Sequence, residues 1–221
     1  MSEHHDQPHG HGHHWHHHDR GWRAVVRYLR CSPKMWRSPV NREVIKQLDL
    51  RAHERVLDVG AGMGAGVVLA AQTGARVVAV EPTPFMRLVL RVRCLGQHAR
   101  KRIEILDGAA EHLPVTDASV DAAWSVNAMH HWADLDAGIA ELRRVMRRGG
   151  RVLLVDEDFD DPAHTSHDQF AARRREHEFE FAHVEPAVVG AKLDAAGFAV
   201  STADKTVFAG QPAKLVRATK T

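Results

Sequence analysis

The 221-residue chain is poor in cysteine and has no long apolar run, and both shortages exclude classes of protein. Its two cysteines, Cys31 and Cys94, lie far apart and lack CxxC spacing, so neither a disulfide framework nor a thiolate zinc site is expected. No stretch approaches the roughly 18 apolar residues that a membrane helix needs. The N-terminus is polar and His-rich, unlike a signal peptide, so the sequence predicts a cytoplasmic protein without a membrane partner.

Net charge is also low. The chain carries 30 basic and 28 acidic residues, a formal net charge of +2, which is too small to indicate a nucleic-acid-binding protein. Apolar residues make up 44% and charged residues 26%, which is typical of a globular protein. The length fits one α/β domain with a short extension, so the expected partner is a small molecule and not a nucleic acid.

Histidine, in contrast, is abundant and unevenly distributed. Nine of the eighteen histidines precede Asp19, within a low-complexity His/Gly segment that has almost nothing to bury. We therefore expect residues 1–20 to be disordered and one folded domain to span residues 21–221. Imidazole suits zinc, nickel and copper, so the tail is either a divalent-metal site or a flexible segment that binds metal adventitiously. The candidate ligands are His4, His5, His9, His11, His13 and His14.

From residue 38 onward the chain alternates between predicted helices and strands. Ser38-Pro39 is typical of a helix start, with a capping residue followed by proline at the first helical position. Short apolar runs then predict buried parallel strands, separated by stripes of apolar residues at helical spacing. The predicted strands are Arg55–Val59, Val77–Val80, Ile103–Leu106, Ala122–Val126 and Val152–Val155. Repeated βα units predict a doubly wound, Rossmann-like α/β fold.

Segments before and after these units carry their own helix and strand patterns. A short helix is predicted at 22–30, a highly charged one at 165–183 and another over Pro186–Ala196. Phe198–Ala203 and Thr206–Ala218 are predicted to form an antiparallel pair at the sheet edge. The expected sheet therefore has seven strands, with antiparallel pairing at its C-terminal edge.

The strongest chemical pattern is Val56-Leu-Asp-Val-Gly-Ala-Gly-Met-Gly64, a strand that ends in an acid and enters a glycine-rich turn. Glycines in such a turn let a ligand approach the main chain closely. Glu81 ends the next strand about twenty residues later, where α/β nucleotide sites place a carboxylate on the ribose hydroxyls. The pattern therefore predicts a nucleotide-type cofactor.

Two cofactor classes fit this arrangement. Gly60, Gly62 and Ala65 satisfy the dinucleotide fingerprint, which would make the chain an NAD(P)-dependent oxidoreductase. Asp58 disfavours that class because a carboxylate just before the first glycine would repel a pyrophosphate. S-adenosylmethionine (SAM) has no phosphate, and its ammonium and sulfonium groups are suited to a neighbouring carboxylate.

Over residues 38–218 the sequence resembles the class I SAM-dependent methyltransferases that act on small molecules. Four segments carry the resemblance in order: VLDVGAGMG, the Ala110-Glu-His-Leu-Pro114 segment, the run Asp121–Trp132, and Leu142–Gly150. The resemblance implies SAM as cofactor and a small-molecule methyl acceptor. It places the cofactor on Asp58, Gly60, Ala61, Gly62, Glu81, Pro82, Ala110, Glu111 and Asn127. The chain departs from the family pattern at Ala109, where an adenine-binding Asp is common; Asp107 lies two residues earlier.

His130 and His131 follow the fourth strand of the domain, where the resemblance places the transferred methyl group. Either histidine is a candidate general base near neutral pH, although alignment alone can drive transfer from a sulfonium. Two further hypotheses remain beside the small-molecule methyltransferase. One is a SAM-fold protein that handles metal, or is regulated by metal, through its His-rich tail, and the other is the oxidoreductase.

Overall fold

The computed structural model describes residues 36–175 and 184–221, apart from the side chains of 173–175. The His-rich tail, the helix predicted at 22–30 and residues 176–183 of the predicted charged helix lie outside the described residues. The predictions made for them, including the metal ligands, are therefore not tested by this structure.

The described chain forms one seven-stranded sheet with the spatial order β3-β2-β1-β4-β5-β7-β6. The strands are β1 (Arg55–Val59), β2 (Arg76–Val80), β3 (Ile103–Leu106), β4 (Val120–Val126), β5 (Met146–Glu157), β6 (Phe198–Phe208) and β7 (Gln211–Lys220). Strands β1 to β5 pair in parallel, and β7 is antiparallel to both β5 and β6. The predicted doubly wound α/β fold with an antiparallel C-terminal edge is confirmed.

Six α-helices of the described chain connect or flank these strands. They are α1 (Pro39–Leu48), α2 (Ala65–Gln72), α3 (Pro84–Leu95), α4 (Leu135–Val145), α5 (His167–Arg175) and α6 (Pro186–Ala195). The predicted start of α1 is confirmed: the Ser38 side chain accepts a hydrogen bond from the Asn41 backbone, and Pro39 begins the helix. None of the described helices is long and apolar enough to cross a bilayer.

Both faces of the sheet are buried, which explains the nearly continuous apolar strands. On β1, Val56 and Asp58 share the face that packs on α1 and α2, whereas Leu57 and Val59 lie on the face covered by α4 and α6. Asp58 is therefore a carboxyl group within an apolar layer, which determines its chemistry below.

The bounds of β5, β6 and β7 differ most from the sequence prediction. The final hairpin turns at Ala209 and Gly210, both with positive φ, so Thr206–Phe208 belong to β6 and not to the following strand. The apparent break at Asp204-Lys205 is an exposed part of a long edge strand, where polar residues are tolerated. Strand β5 begins at Met146, because α4 ends at Val145 and Met146 pairs with Val120 across an irregular register.

The order of the strands reverses between β1 and β4. Strand β1 leads outward through β2 to β3, and β4 leads in the opposite direction through β5. The loops that leave the carboxyl ends of β1 and β4 therefore diverge around a crevice, which is where ligands bind in open α/β sheets.

Candidate active site

The glycine-rich turn after β1 is held against the neighbouring loops. The backbone N–H groups of Gly60 and Ala61 both donate to the Val80 carbonyl, at 2.9 and 3.0 Å. Gly60 has φ +77°, and a Cβ there would lie 2.5 Å from the Cβ of Ala128. A glycine is therefore required at position 60 for both its conformation and its close contact with the loop after β4.

Glu81 holds the far side of this turn. Its carboxylate accepts hydrogen bonds from the backbone N–H groups of Gly62 and Thr83, both at 2.8 Å. At Gly62 the described residues leave at least 4 Å of open space where a Cβ would point. A carboxylate has about four acceptor sites, so two remain for a ligand hydroxyl beside an accessible main chain.

Asp58 lies beneath the turn. Its carboxyl group is 3% exposed, and it adjoins Gly66 together with Asn41 and Trp124. Burial raises the pKa of Asp58 from its usual 3.8 to about 8, which the Trp124 indole partly opposes and the charge of Glu81 reinforces. The Trp124 indole Nε1 lies beside the Asp58 carboxyl group. Among the described residues it has no partner that meets full hydrogen-bond geometry.

The loop after β4 is organised by Asp156, which lies near the end of β5 and is 3% exposed. Its carboxylate accepts hydrogen bonds from the backbone N–H groups of Ala128 and His130, both at 3.1 Å. The His130 ring also meets it, with 2.9 Å between Nδ1 and Oδ2. Because a carboxylate only accepts, Nδ1 carries the proton, and in the neutral ring the basic lone pair is on Nε2.

The other predicted catalytic residue, His131, lies next to His130, with 4.1 Å between the ring centroids. Met129–His131 form a single 3₁₀ turn at the carboxyl end of the sheet. The structure thus brings both histidines to the loop that contacts Gly60 through Ala128. It gives a carboxylate partner to His130.

Asn127, predicted to contact the cofactor, is held by a neighbouring side chain. It has φ +52°, its amide nitrogen donates to Glu157 Oε2 at 2.5 Å, and its amide oxygen accepts from the Glu157 backbone at 2.7 Å. Asn127 therefore links the ends of β4 and β5.

The segment around Ala110 and Glu111 is shaped by α4. Ala110 is buried, and Glu111 accepts a hydrogen bond from the Asp134 backbone at 3.2 Å. Glu141 accepts from the Leu113 backbone at 2.7 Å, and Arg144 donates to the Leu113 and Val115 carbonyls. The hydrogen bond from Arg144 lowers the pKa of Glu141, so this carboxylate is held ionised.

Asp107 pairs with Arg87. The guanidinium of Arg87 donates to both Asp107 oxygens at 2.7 Å and to the Glu81 carbonyl at 2.7 Å. The ion pair braces the loop after β3 against the residue that follows β2. Pro82, another predicted contact, lies half-buried between these braced residues.

Sequence reasoning did not single out Asp156, Glu157 or His164. A usable pattern was present, because Asp156-Glu157 follows the apolar run Val152–Val155 as Asp58 and Glu81 follow theirs. His164 lacked such a pattern, since its role depends on how the loop after β5 folds back.

The comparisons with known proteins agree with this geometry. Residues 57–154 match a family model described as a methyltransferase domain. An uncharacterised methyltransferase of Mycobacterium tuberculosis is 42% identical over 113 residues, 51% of this chain and 44% of that protein. A demethylmenaquinone methyltransferase of Tropheryma whipplei is 32% identical over 117 residues, 52% of this chain and 46% of that protein. The matched region spans less than half the length of these relatives.

A solved structure shares the fold across most of the chain. The YcgJ protein of Bacillus subtilis superposes with a TM-score of 0.64 and 24% identity, covering 82% of this chain and 97% of that one. The family-model match over residues 57–154 includes the glycine-rich turn, Glu81 and the loop after β4. The family-model match, these relatives and the shared fold show that residues 57–154 form a methyltransferase domain similar to those of class I SAM-dependent methyltransferases, which take their methyl group from S-adenosylmethionine.

Proposed function

We propose that this protein transfers a methyl group from SAM to an oxygen, nitrogen or carbon atom of a small molecule. The observation that carries the proposal is the contact between Gly60 and Ala128, which joins two polar groups at one crevice. On one side the Glu81 carboxylate accepts a hydrogen bond from the glycine-rich turn. On the other side His130 is paired with Asp156.

The residues present fit the cofactor. Glu81 would accept hydrogen bonds from the ribose hydroxyls, and Gly60, Ala61 and Gly62 would let the cofactor lie against the main chain. Ala110 and Glu111 would border the adenine beside Pro82. Asp58 and Asn127 would border the methionine end, where an ammonium group favours an ionised carboxyl group. When bound, SAM supplies an electrophilic methyl group on a sulfonium.

The chain's own contribution is to orient the acceptor and to accept its proton. Nε2 of His130 is the atom proposed to take that proton, while Asp156 on Nδ1 stabilises the imidazolium that forms. His131 lies beside it and is proposed to border the acceptor. Where an acceptor has no proton to lose, positioning alone accounts for transfer.

A small-molecule acceptor is favoured over a nucleic acid by the low net charge of +2. The name of the Tropheryma relative, a demethylmenaquinone methyltransferase, supports the same class of acceptor. The acceptor itself is sought by incubating the protein and methyl-labelled SAM with a metabolite extract and then identifying the labelled product.

Cofactor choice is tested directly by calorimetry. We expect SAM and S-adenosylhomocysteine to bind, and NADH and NADPH to give no heat, because Asp58 can ionise beside the ammonium group of SAM, whereas it offers a pyrophosphate no opposite charge. Tight NADH binding without a response to SAM would overturn the proposal. A His130→Gln variant is expected to keep its affinity for S-adenosylhomocysteine while losing at least about tenfold in kcat for an acceptor that loses a proton.

A further inference from the structure

We propose that Glu157 and His164 are positioning residues that hold the loop 127–131, and with it the His130–Asp156 pair, through Asn127. This inference rests on the proposed function for its link to methyl transfer. The arrangement of the side chains does not depend on that function, so the two are tested separately.

The first step is the pairing of Asn127 with Glu157. The two residues exchange two hydrogen bonds, one from the Asn127 amide to Glu157 Oε2 and one from the Glu157 backbone to Asn127 Oδ1. Asn127 also donates its backbone N–H to the Val155 carbonyl at 2.9 Å. Three hydrogen bonds to β5 thus hold a non-glycine residue at φ +52°, a conformation that the surrounding structure has to stabilise.

The second step is the contact between His164 and the other oxygen of the same carboxylate. The distance from His164 Nε2 to Glu157 Oε1 is 3.3 Å, and the His164 side chain is only 2% exposed. Nδ1 of this ring accepts the Ser166 backbone N–H at 3.0 Å. An accepting Nδ1 is unprotonated, so the hydrogen-bond network assigns the proton to Nε2, from which His164 donates to Glu157.

The third step is the support around His164. Its ring meets Phe159 edge-on with 4.7 Å between centroids, and Phe159 stacks on Phe170 at 4.0 Å. The Thr165 backbone and hydroxyl both donate to the Gln211 side chain at 3.0 Å, which ties the loop after β5 to the start of β7. His164 is therefore fixed by packing, and it can transmit that constraint to Glu157.

The fourth step connects this chain of contacts to the site. Asp156 and Glu157 are consecutive residues that hold consecutive parts of one loop, Asp156 binding Ala128 and His130, and Glu157 binding Asn127. If Glu157 turns away, Asn127 loses a support of its positive φ, and the peptide groups that follow it move relative to Asp156. The expected consequence is a displaced His130 ring in a chain that remains folded.

The test compares His164→Leu, His164→Gln and Glu157→Gln, with the exposed His98→Gln as a matched control. Gln at 164 retains an N–H donor for Glu157 and Leu does not. With histidine labelled with ¹⁵N, we expect His164 to show a proton on Nε2 alone. The His130 ring signals are expected to shift in His164→Leu and Glu157→Gln, and to stay near wild type in His164→Gln and His98→Gln.

Affinity for S-adenosylhomocysteine provides a second measurement. It is expected to fall about fivefold in His164→Leu and Glu157→Gln, and to remain within about twofold of wild type in His164→Gln and His98→Gln. His164→Leu and Glu157→Gln should also be non-additive in the double variant, since they break the same chain of contacts. If His164→Leu does not fold, Glu157→Gln carries the same comparison.

Two outcomes would overturn the inference. One is a proton on Nδ1 of His164, and the other is a variant that lowers the melting temperature without moving the His130 signals. A wild-type protein that binds no S-adenosylhomocysteine would instead contradict the proposed function, and the His130 signals would still decide the positioning role.

Discussion

At the scale of the residue, the most unusual group is the buried Asp58 carboxyl. It lies beside Trp124, Asn41 and Gly66 in an apolar layer, and no cation among the described residues acts on its pKa. Burial favours the neutral acid, so the folded apo protein retains this proton near neutral pH. A cofactor ammonium at the same place would favour the ionised form, and this links cofactor binding to release of a proton.

The retained proton makes stability depend on pH. The pKa of Asp58 is about 8 in the folded chain and near 3.8 when unfolded, so the native state binds the extra proton between these values. The contribution of Asp58 to stability therefore decreases as pH rises from about 4 to 8, and it is constant above that range. We expect Asp58→Asn to remove this dependence, with melting temperatures measured at several pH values in both proteins. Parallel pH curves for the two proteins would contradict the assignment.

Glu81 provides a prediction on cofactor affinity. Its carboxylate supports Gly62 and Thr83 and leaves acceptor sites toward the crevice. Glu81→Gln keeps one oxygen, whereas Glu81→Ala loses charge-assisted hydrogen bonds worth roughly 1.5–3 kcal/mol. Calorimetry is expected to show at least about a tenfold fall in SAM affinity for the Ala variant and a smaller fall for Gln. Glu104→Gln, on the exposed side of β3, is the control, and an equal affinity in all three folded variants would refute the ribose role.

At the scale of the element, the glycine-rich turn and the loop after β4 behave as one unit. Gly60 contacts Ala128, and Asp156 and Glu157 hold the loop from the β5 side. The cofactor side and the proposed acceptor side therefore share a common boundary. A substitution on one side is therefore expected to alter ligand binding on the other side.

Gly60→Ala tests this coupling. The added Cβ would lie 2.5 Å from Ala128 Cβ, and φ +77° is itself unfavourable for alanine by about 1–2 kcal/mol. Gly149→Ala is a matched control, since Gly149 has φ +74° with nothing among the described residues within 4 Å of the added atom, at the opposite end of the sheet. Both variants are expected to lose stability, because alanine disfavours a positive φ. Only Gly60→Ala is expected to weaken binding of S-adenosylhomocysteine, and similar affinities in the two variants would contradict the shared boundary.

At the scale of the whole molecule, the described chain is one sheet covered on both faces, with the candidate site at the carboxyl ends of β1, β2, β4 and β5. Among residues 36–175 and 184–221, no group of three or more His, Cys, Asp or Glu side chains is arranged to hold a metal ion. We predict from the sequence that a metal on the six candidate His ligands is held by the tail alone.

Deletion of residues 2–18 tests the independence of the tail. These residues contain nine histidines and precede every cofactor motif, so we expect the deletion to abolish most Ni²⁺ or Zn²⁺ binding. The affinity for SAM and the melting temperature are expected to stay nearly unchanged, in contrast to the loss of a structural metal. Loss of SAM binding in the truncated chain would show that the tail contributes to the site.

The sequence by itself determined the fold class, the order of strands and helices, and the resemblance to SAM-dependent methyltransferases from which the cofactor residues are predicted. Short apolar runs specify buried parallel strands, and Asp58, Gly60 and Glu81 lie at or next to the carboxyl ends of such strands, the edge of the sheet where ligands bind in open α/β folds. The same reasoning wrongly predicted a break between strands at Asp204-Lys205, because a polar pair on an exposed edge strand resembles a turn. Periodicity reports on burial, and an exposed strand has little of it.

Only the tertiary structure decided which groups act together. The pairing of His130 with Asp156, and of Asn127 with Glu157 and His164, joins residues 7 to 30 positions apart whose contact depends on β4 and β5 being neighbours in register. The raised pKa of Asp58 likewise follows from the face of β1 on which it lies and from what packs over it. Hydrogen bonds and desolvation depend on distances of a few ångströms, which a linear pattern does not contain.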